Sequence, residues 1–382
     1  MKIFQFITDE LERISSKGLL RTLKGIDEVK GARITIDGRR LINFCSNNYL
    51  GLANDPKVLK KAAEMLKRYG SGAGASRLVS GNLKVHEELE KKIAKYAATE
   101  AAIIFPTGYM ANLGSIQALV GPGDAVVVDR LNHASIIDGA RLSGAKMLVY
   151  KHLDMEQLEK VIKTASGLKK KLIVTDHVFS MDGDIAPLDR LTDIAKKYDA
   201  MLMVDTAHST GVLEFKAKDR DNLIIMGTLS KSVGALGGFI AGSRQLIEYL
   251  SNKARAFIYT TALPPAVAAS ALAALEIIEH NGRMKKKLWN NIKYLNGKIE
   301  PLGLDTMGSK TQIIPILIGD ARRAVEASNF LYSSGIFLSA IRPPTVPQGT
   351  SRLRLTVTAM HTKDDIDRLA EKLGQVKEKF IG

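Results

Sequence analysis

Six short apolar runs set the limits on how the middle of this chain can fold: AAIIF (101–105), AVVVD (125–129), KMLVY (146–150), KLIVTD (171–176), AMLMVD (200–205) and NLIIMG (222–227). They are rich in β-branched residues and lack the in–out alternation of a strand with one wet face, so they read as strands buried on both sides. Helix-compatible stretches lie between or beside them, at 83–97, 108–119, 154–165 and 188–198. Strands covered on both faces and separated by helices imply an α/β fold with a mostly parallel sheet.

The flanking regions read differently. Residues 1 to about 45 carry an amphipathic helix pattern and then a hairpin, ARITI and RLINF around the turn Asp37-Gly38. Residues 55–70 read as a helix with Pro56 at its start and Gly70 at its stop. After residue 250, FIYTTALPP breaks the alternation and AVAASALAALEIIEH begins a long helix. Strand-like stretches at 312–318 and 352–358, with helices near 321–334 and 363–378, complete a smaller α+β domain. The expected division is an N-terminal helix-and-hairpin segment (1–48), a large domain (49–250), and a connecting helix with the small C-terminal domain (251–382).

Composition removes several function classes. The single cysteine, Cys45, excludes an intrachain disulfide framework and a thiolate metal cluster within one chain, and it reads as a structural thiol. No metal site is expected. The N-terminus lacks the apolar core of a secretory signal and no run is long and apolar enough for a membrane helix, so a cytoplasmic protein is expected. The net charge of +15 comes from scattered lysines such as those at 169–171 and 285–287, with no nucleic-acid-binding motif, so no nucleic-acid partner is expected.

Functional groups of parallel α/β sheets collect at the carboxyl ends of the strands, and four polar constellations stand there: PTGY, VFSMDGD, VDTAH and GTLSKSVG. Lys231, among small residues, could form a Schiff base with an aldehyde cofactor or be a solvated lysine beside a turn. Asp205, ending an apolar strand, could pair with a protonated pyridine nitrogen or cap a helix. His133 could stack on a cofactor ring or bond its own loop, and His208 could reach a phenolic oxygen. The Gly108 and Tyr109 amides could hold a phosphate at a helix N-terminus, with Thr228 adding a hydroxyl.

Taken together, NFCSNNYLGLA (43–53), SGAGASRLVSGNLKVHEELE (71–90), LNHASIIDGARLSGA (131–145), VFSMDGDIAPL (178–188), GTLSKSVGALGG (227–238) and RPPTVPQGTSRLRLTVTAMHT (342–362) resemble the α-oxoamine synthases. These are fold type I enzymes that use pyridoxal 5'-phosphate (PLP) to condense an amino acid with an acyl-CoA. The resemblance runs from about Leu19 to the end. It implies Lys231 as the Schiff-base lysine, Asp205 on the pyridine nitrogen, His208 on the phenolic oxygen and His133 over the ring. It also implies Gly108, Tyr109, Ser180 and Thr228 around the cofactor, with Thr260 or Thr261 reaching the phosphate of a neighbouring subunit in a homodimer. Arg354 matches the arginine that grips the amino acid carboxylate, Arg21 and Thr345 match substrate-binding positions, and Asn47 lies close to the reacting groups. GAGASRLVSG and IRPPTVPQGTSRLR resemble the branch that joins L-alanine to a pimeloyl thioester, on CoA or acyl carrier protein, in biotin synthesis. Glycine C-acetyltransferase is the alternative within the family, and an α/β binding protein without catalysis the alternative outside it. Three departures stand out: Thr206 where an acidic residue is usual, His177 and Asp176 where a small residue and Glu are usual, and a short stretch between His208 and Lys231.

Overall fold

A computed structural model describes residues 3–216 and 221–382 and divides the chain into two compact units. One unit comprises residues 50–180 and 184–285; the other comprises 1–49, 181–183 and 286–382. Of the short stretch between His208 and Lys231, residues 217–220 lie outside the described residues.

The larger unit is built on a seven-stranded sheet whose order, by residue range, is Ala101–Phe105, Gly238–Gly242, Leu223–Thr228, Met201–Asp205, Lys171–Asp176, Ala125–Asp129 and Lys146–Tyr150. Gly238–Gly242 pairs antiparallel with both neighbours, and the remaining pairs are parallel. All six expected strands are present. The seventh, GFIAG, was not expected, because its glycine-rich context reads as a turn. The inner strands are mainly apolar up to their carboxyl ends, and Val126, Val128, Leu172, Val174, Met203 and Ile240 form one core with Phe105, Ile116 and Ala140 from the surrounding elements.

Helix caps follow the sequence chemistry. Asp55 accepts from the Lys57 amide before the helix Pro56–Tyr69, and Thr107 accepts from the Met110 amide before Gly108–Leu119. The long helix Pro265–His280, placed with the C-terminal portion on sequence grounds, packs on Pro56–Tyr69 and Lys84–Ala97 and belongs to the larger unit. Its alanine-rich face, with Ala268, Ala271 and Ala274 fully buried, allows that close approach.

In the other unit, Glu28–Lys30, Arg33–Ile36 and Arg39–Asn43 form the expected hairpin region, and Ile336–Phe337 adds to it in parallel. A second sheet is ordered Ile313–Gly319, Ser351–Thr356 and Ala340–Ile341. The N-terminal residues and the C-terminal domain thus share one unit. Among the described residues, no helix is long and apolar enough to cross a membrane.

Gly234 shows how tightly the Lys231 turn is built. It sits at φ +73°, and a Cβ there would come within 2.4 Å of the Ala53 amide nitrogen. Gly234→Ala therefore combines a left-handed alanine with a backbone collision and should lower stability by roughly 2–4 kcal/mol, read as a lower urea midpoint of the PLP-free protein. Gly25→Ala, where an added Cβ meets nothing within 4 Å, should leave that midpoint in place.

Candidate active site

The parallel strands put Asp129, Asp176, Asp205 and Thr228 on one edge of the sheet, with Asp176 and Asp205 directly in register. A buried carboxylate must be met by donors. The Asp205 side chain accepts from the Ala207 amide at 2.9 Å and from Asn112 Nδ2 at 2.9 Å. Asp176 accepts from Asn132 Nδ2 at 2.8 Å and from the His133 amide at 3.1 Å. Burial, reinforced by the neighbouring Asp205, pushes the Asp176 carboxyl up to about 7.

His133 caps the helix Ala134–Ser143, and its Nδ1 accepts from the Ser135 amide. Burial holds its imidazole below the usual histidine range, against the attraction of Asp205. His208 follows Asp205 by one turn, and its Nε2 meets the Lys231 amine at 2.9 Å. Thr228 is buried, donates to the Gly237 carbonyl at 2.9 Å and shares a 2.8 Å hydroxyl contact with Ser230. A Cβ on Gly108 would lie 3.2 Å from Met226 Cε and 3.3 Å from Thr228 Oγ1, so glycine brings this helix start close to that hydroxyl without pushing either side chain aside. The Tyr109 hydroxyl bonds to Asp138, which lifts its pKa.

Ser180 lies in a turn closed by the Val178–Ile185 bridge and by the Phe179 amide on the Asp184 carbonyl at 3.1 Å. A histidine not singled out in the sequence fixes that turn. His152 bonds Asp129 through Nδ1 at 3.0 Å and Asp184 through Nε2 at 2.6 Å, and packs edge-on against Phe179. Burial works against its charge, but the two carboxylates prevail and raise its pKa to about 10.

Thr261 bridges Ser76 antiparallel, and the Ala262 amide donates to the Ala75 carbonyl at 3.0 Å, so YTTALPP and the GAGAS segment are adjacent, with Thr261 exposed and Thr260 half-buried. In the other unit, Arg354 places both terminal nitrogens 3.3 Å from Asn47 Oδ1, which also accepts from the Tyr49 hydroxyl at 3.0 Å. Arg21 and Thr345 are exposed near Arg342: burial and the like charge of Arg21 lower the Arg342 pKa, and the Thr345 amide donates to the Arg342 carbonyl at 3.0 Å. The structure thus brings together Lys231 with His208, Gly108 with Thr228, and Asn47 with Arg354.

Two of the three departures are met by partners on neighbouring elements. Thr206 donates to the Met226 carbonyl at 2.8 Å, on the adjacent strand. His177 is buried, bonds the Ser209 hydroxyl at 2.8 Å and stands edge-on to Phe215, with burial lowering its pKa to about 4. Asp176 has the two donors given above.

A model of the family described as aminotransferase class I and II matches residues 39–373. The chain belongs to that family. An 8-amino-7-oxononanoate synthase of Thermoanaerobacter pseudethanolicus is 46% identical, covering 97% of both chains. A serine palmitoyltransferase from S. paucimobilis, solved with a bound PLP–myriocin aldimine, aligns at TM-score 0.92 and 31% identity over 98% of this chain and 97% of its own. An 8-amino-7-oxononanoate synthase structure from Francisella tularensis aligns at TM-score 0.75 and 30% identity over 89% of this chain and 99% of its own. Within the class I and II family the chain is an α-oxoamine synthase of fold type I.

The residues present fit PLP. A lysine amine, a buried carboxylate beside an imidazole, and a glycine-started helix abutting a threonine hydroxyl match the aldehyde, ring nitrogen and phosphate of that group. The chain is a PLP-dependent acyltransferase that condenses an amino acid with an acyl-CoA.

The His152 bridge yields a pH-dependent prediction. Its folded pKa lies above the unfolded value of about 6.5, so its stabilisation is full below that pH and is lost as pH rises through about 10. His152→Gln should cost about 1–3 kcal/mol at pH 6, and the gap in urea midpoint from the parent protein should narrow toward pH 10.

Proposed function

We propose that the chain joins L-alanine to a pimeloyl thioester, carried on CoA or acyl carrier protein, giving 8-amino-7-oxononanoate, CO2 and the free thiol. The observation that carries this reading is end-to-end likeness to the Thermoanaerobacter pseudethanolicus 8-amino-7-oxononanoate synthase, at 46% identity over 97% of each chain. GAGASRLVSG (72–81) and IRPPTVPQGTSRLR (341–354) support the same branch.

PLP, when bound, supplies an aldehyde for the amine and a ring that withdraws electrons from the α-carbon. Lys231 would hold the cofactor through its Nζ and, once free, would carry the proton removed from and returned to the α-carbon of the amino acid. His208, whose Nε2 lies 2.9 Å from the Lys231 amine, orients that lysine and would face the phenolic oxygen. Asp205, gripped by Asn112 and the Ala207 amide, holds the proton on the pyridine nitrogen. His133 covers the ring face and keeps water from it. The Gly108 and Tyr109 amides, at a helix start where no intrahelical partner exists, hold the phosphate with the Thr228 hydroxyl. Ser180 lines the cofactor on the turn pinned by His152.

Arg354 grips the carboxylate of alanine in a two-pronged bond, exchanging the Asn47 carbonyl oxygen for a charged acceptor. Arg21 and Thr345 bind the acyl substrate. The enzyme works in the cytoplasm as a homodimer, with Thr260 or Thr261 completing the phosphate site of the partner subunit.

Purified protein supplied with PLP, L-alanine and pimeloyl-CoA should yield mass-confirmed 8-amino-7-oxononanoate. Product from glycine and acetyl-CoA alone would move the assignment to glycine C-acetyltransferase. Arg354→Lys should raise KM for alanine at least tenfold, because an ammonium cannot reproduce the guanidinium fork, with a smaller change in KM for the thioester.

A further inference from the structure

Asn112 stands one helical turn beyond Gly108 and is fully buried, and its grip on Asp205 is only one of its two contacts. Its Nδ2 donates at 2.9 Å to Asp205 Oδ2 and at 2.9 Å to Ser135 Oγ, so both of its amide protons are used. The Ser135 hydroxyl, itself buried, lies 2.8 Å from His133 Nδ1. Asp205, Asn112, Ser135 and His133 form one continuous chain of hydrogen bonds.

The direction of that chain is fixed by its chemistry. A flipped Asn112 would turn its carbonyl oxygen against the Asp205 carboxylate, so the donor side must face Asp205. Ser135 Oγ then accepts from Asn112 and spends its own proton on His133 Nδ1. The Ser135 amide also points at Nδ1, from 3.3 Å. With two donors aimed at it, Nδ1 is an acceptor and the proton of the neutral imidazole sits on Nε2. Asn112 gains nothing for the core in return: its Oδ1 is buried without a partner. An orphaned acceptor in an apolar helix interior destabilises a fold, so the residue is accounted for by what its Nδ2 holds.

We propose that Asn112 is a positioning residue that couples the ring-nitrogen carboxylate, Asp205, to the ring-stacking imidazole, His133, through Ser135, and so sets the Nε2-protonated tautomer of His133. One side chain, on the helix that also starts the phosphate site, thereby registers three parts of the cofactor pocket against one another. Asp176 secures the same loop from its other side, through the His133 amide and Asn132. The inference rests on the reading of Asp205 and His133 as cofactor residues.

Two variants test it. Asn112→Leu removes both donors and the orphaned acceptor while keeping a side chain with the same branching. It should weaken PLP binding roughly tenfold or more, the range expected for losing a hydrogen bond to a charged group, and also lower the melting temperature of the PLP-free protein, because buried Asp205 loses a donor. Unchanged PLP affinity with a lower melting temperature would make Asn112 an ordinary core residue and overturn the proposal. Ser135→Ala breaks only the histidine arm, and is read on PLP-free protein by 15N NMR of labelled histidine. Parent protein should show His133 protonated at Nε2, and the variant should shift population toward Nδ1. An unaltered His133 spectrum in Ser135→Ala would overturn the chain even if Asn112→Leu failed to fold. Failure of the parent protein itself to take up PLP would instead sink the underlying cofactor reading.

Discussion

The parallel pairing of Ala125–Asp129, Lys171–Asp176, Met201–Asp205 and Leu223–Thr228 is the constraint on which the chemistry rests. Parallel pairing obliges each of these strands to end on the same edge, so residues far apart in sequence arrive side by side. That edge is also where apolar strands stop, and the side chains there are buried and polar. Buried carboxylates at such a place require donors, and the donors come from a neighbouring helix and loops: Asn112 and Ala207 for Asp205, Asn132 and His133 for Asp176, His152 for Asp129. The geometry of the cofactor pocket follows from satisfying those few acceptors.

Much of this was legible in the sequence because strand burial and strand ends leave local marks. AVVVD and AMLMVD announce a two-sided strand and its polar stop in a handful of residues, and GTLSKSVGALGG announces a turn that only small residues can make. The strand Gly238–Gly242 left no such mark, since glycines at both ends imitate a loop; its pairing is dictated by Phe105 and Thr228 on either side. Asn112 was hidden for a different reason. It sits in a helix that is apolar almost all round, and its partner Asp205 is 93 positions away, so nothing nearby distinguishes it from a tolerated polar residue. The His152 bridge to Asp184 spans 32 positions and was invisible on the same grounds. The long helix Pro265–His280 follows a break in pattern, which suggested a new domain, but its small residues fit the grooves of two earlier helices.

The departures from the family pattern show how such a pocket tolerates change. Thr206 and His177 directly follow Asp205 and Asp176, yet each finds a partner on a neighbouring element, Met226 and Ser209, and leaves those carboxylates' donors undisturbed. Thr210, Gly211 and Phe215, in the stretch from Ser209 onward, line a cavity of about 360 Å3 together with Tyr96, Phe239 and Ile278, and that cavity includes neither Lys231 nor Asp205. Variation is therefore borne by groups that bond partners other than Asp205 and Asp176, while the donors to those carboxylates are kept.

The central claim is that Lys231 carries the cofactor at this edge. It is tested most directly by reducing the PLP-loaded protein with borohydride, digesting it, and locating the modified peptide by mass spectrometry. The account predicts a single phosphopyridoxyl adduct on the peptide containing Lys231, abolished in Lys231→Ala. An adduct on another lysine, or none despite stoichiometric PLP uptake, would contradict it.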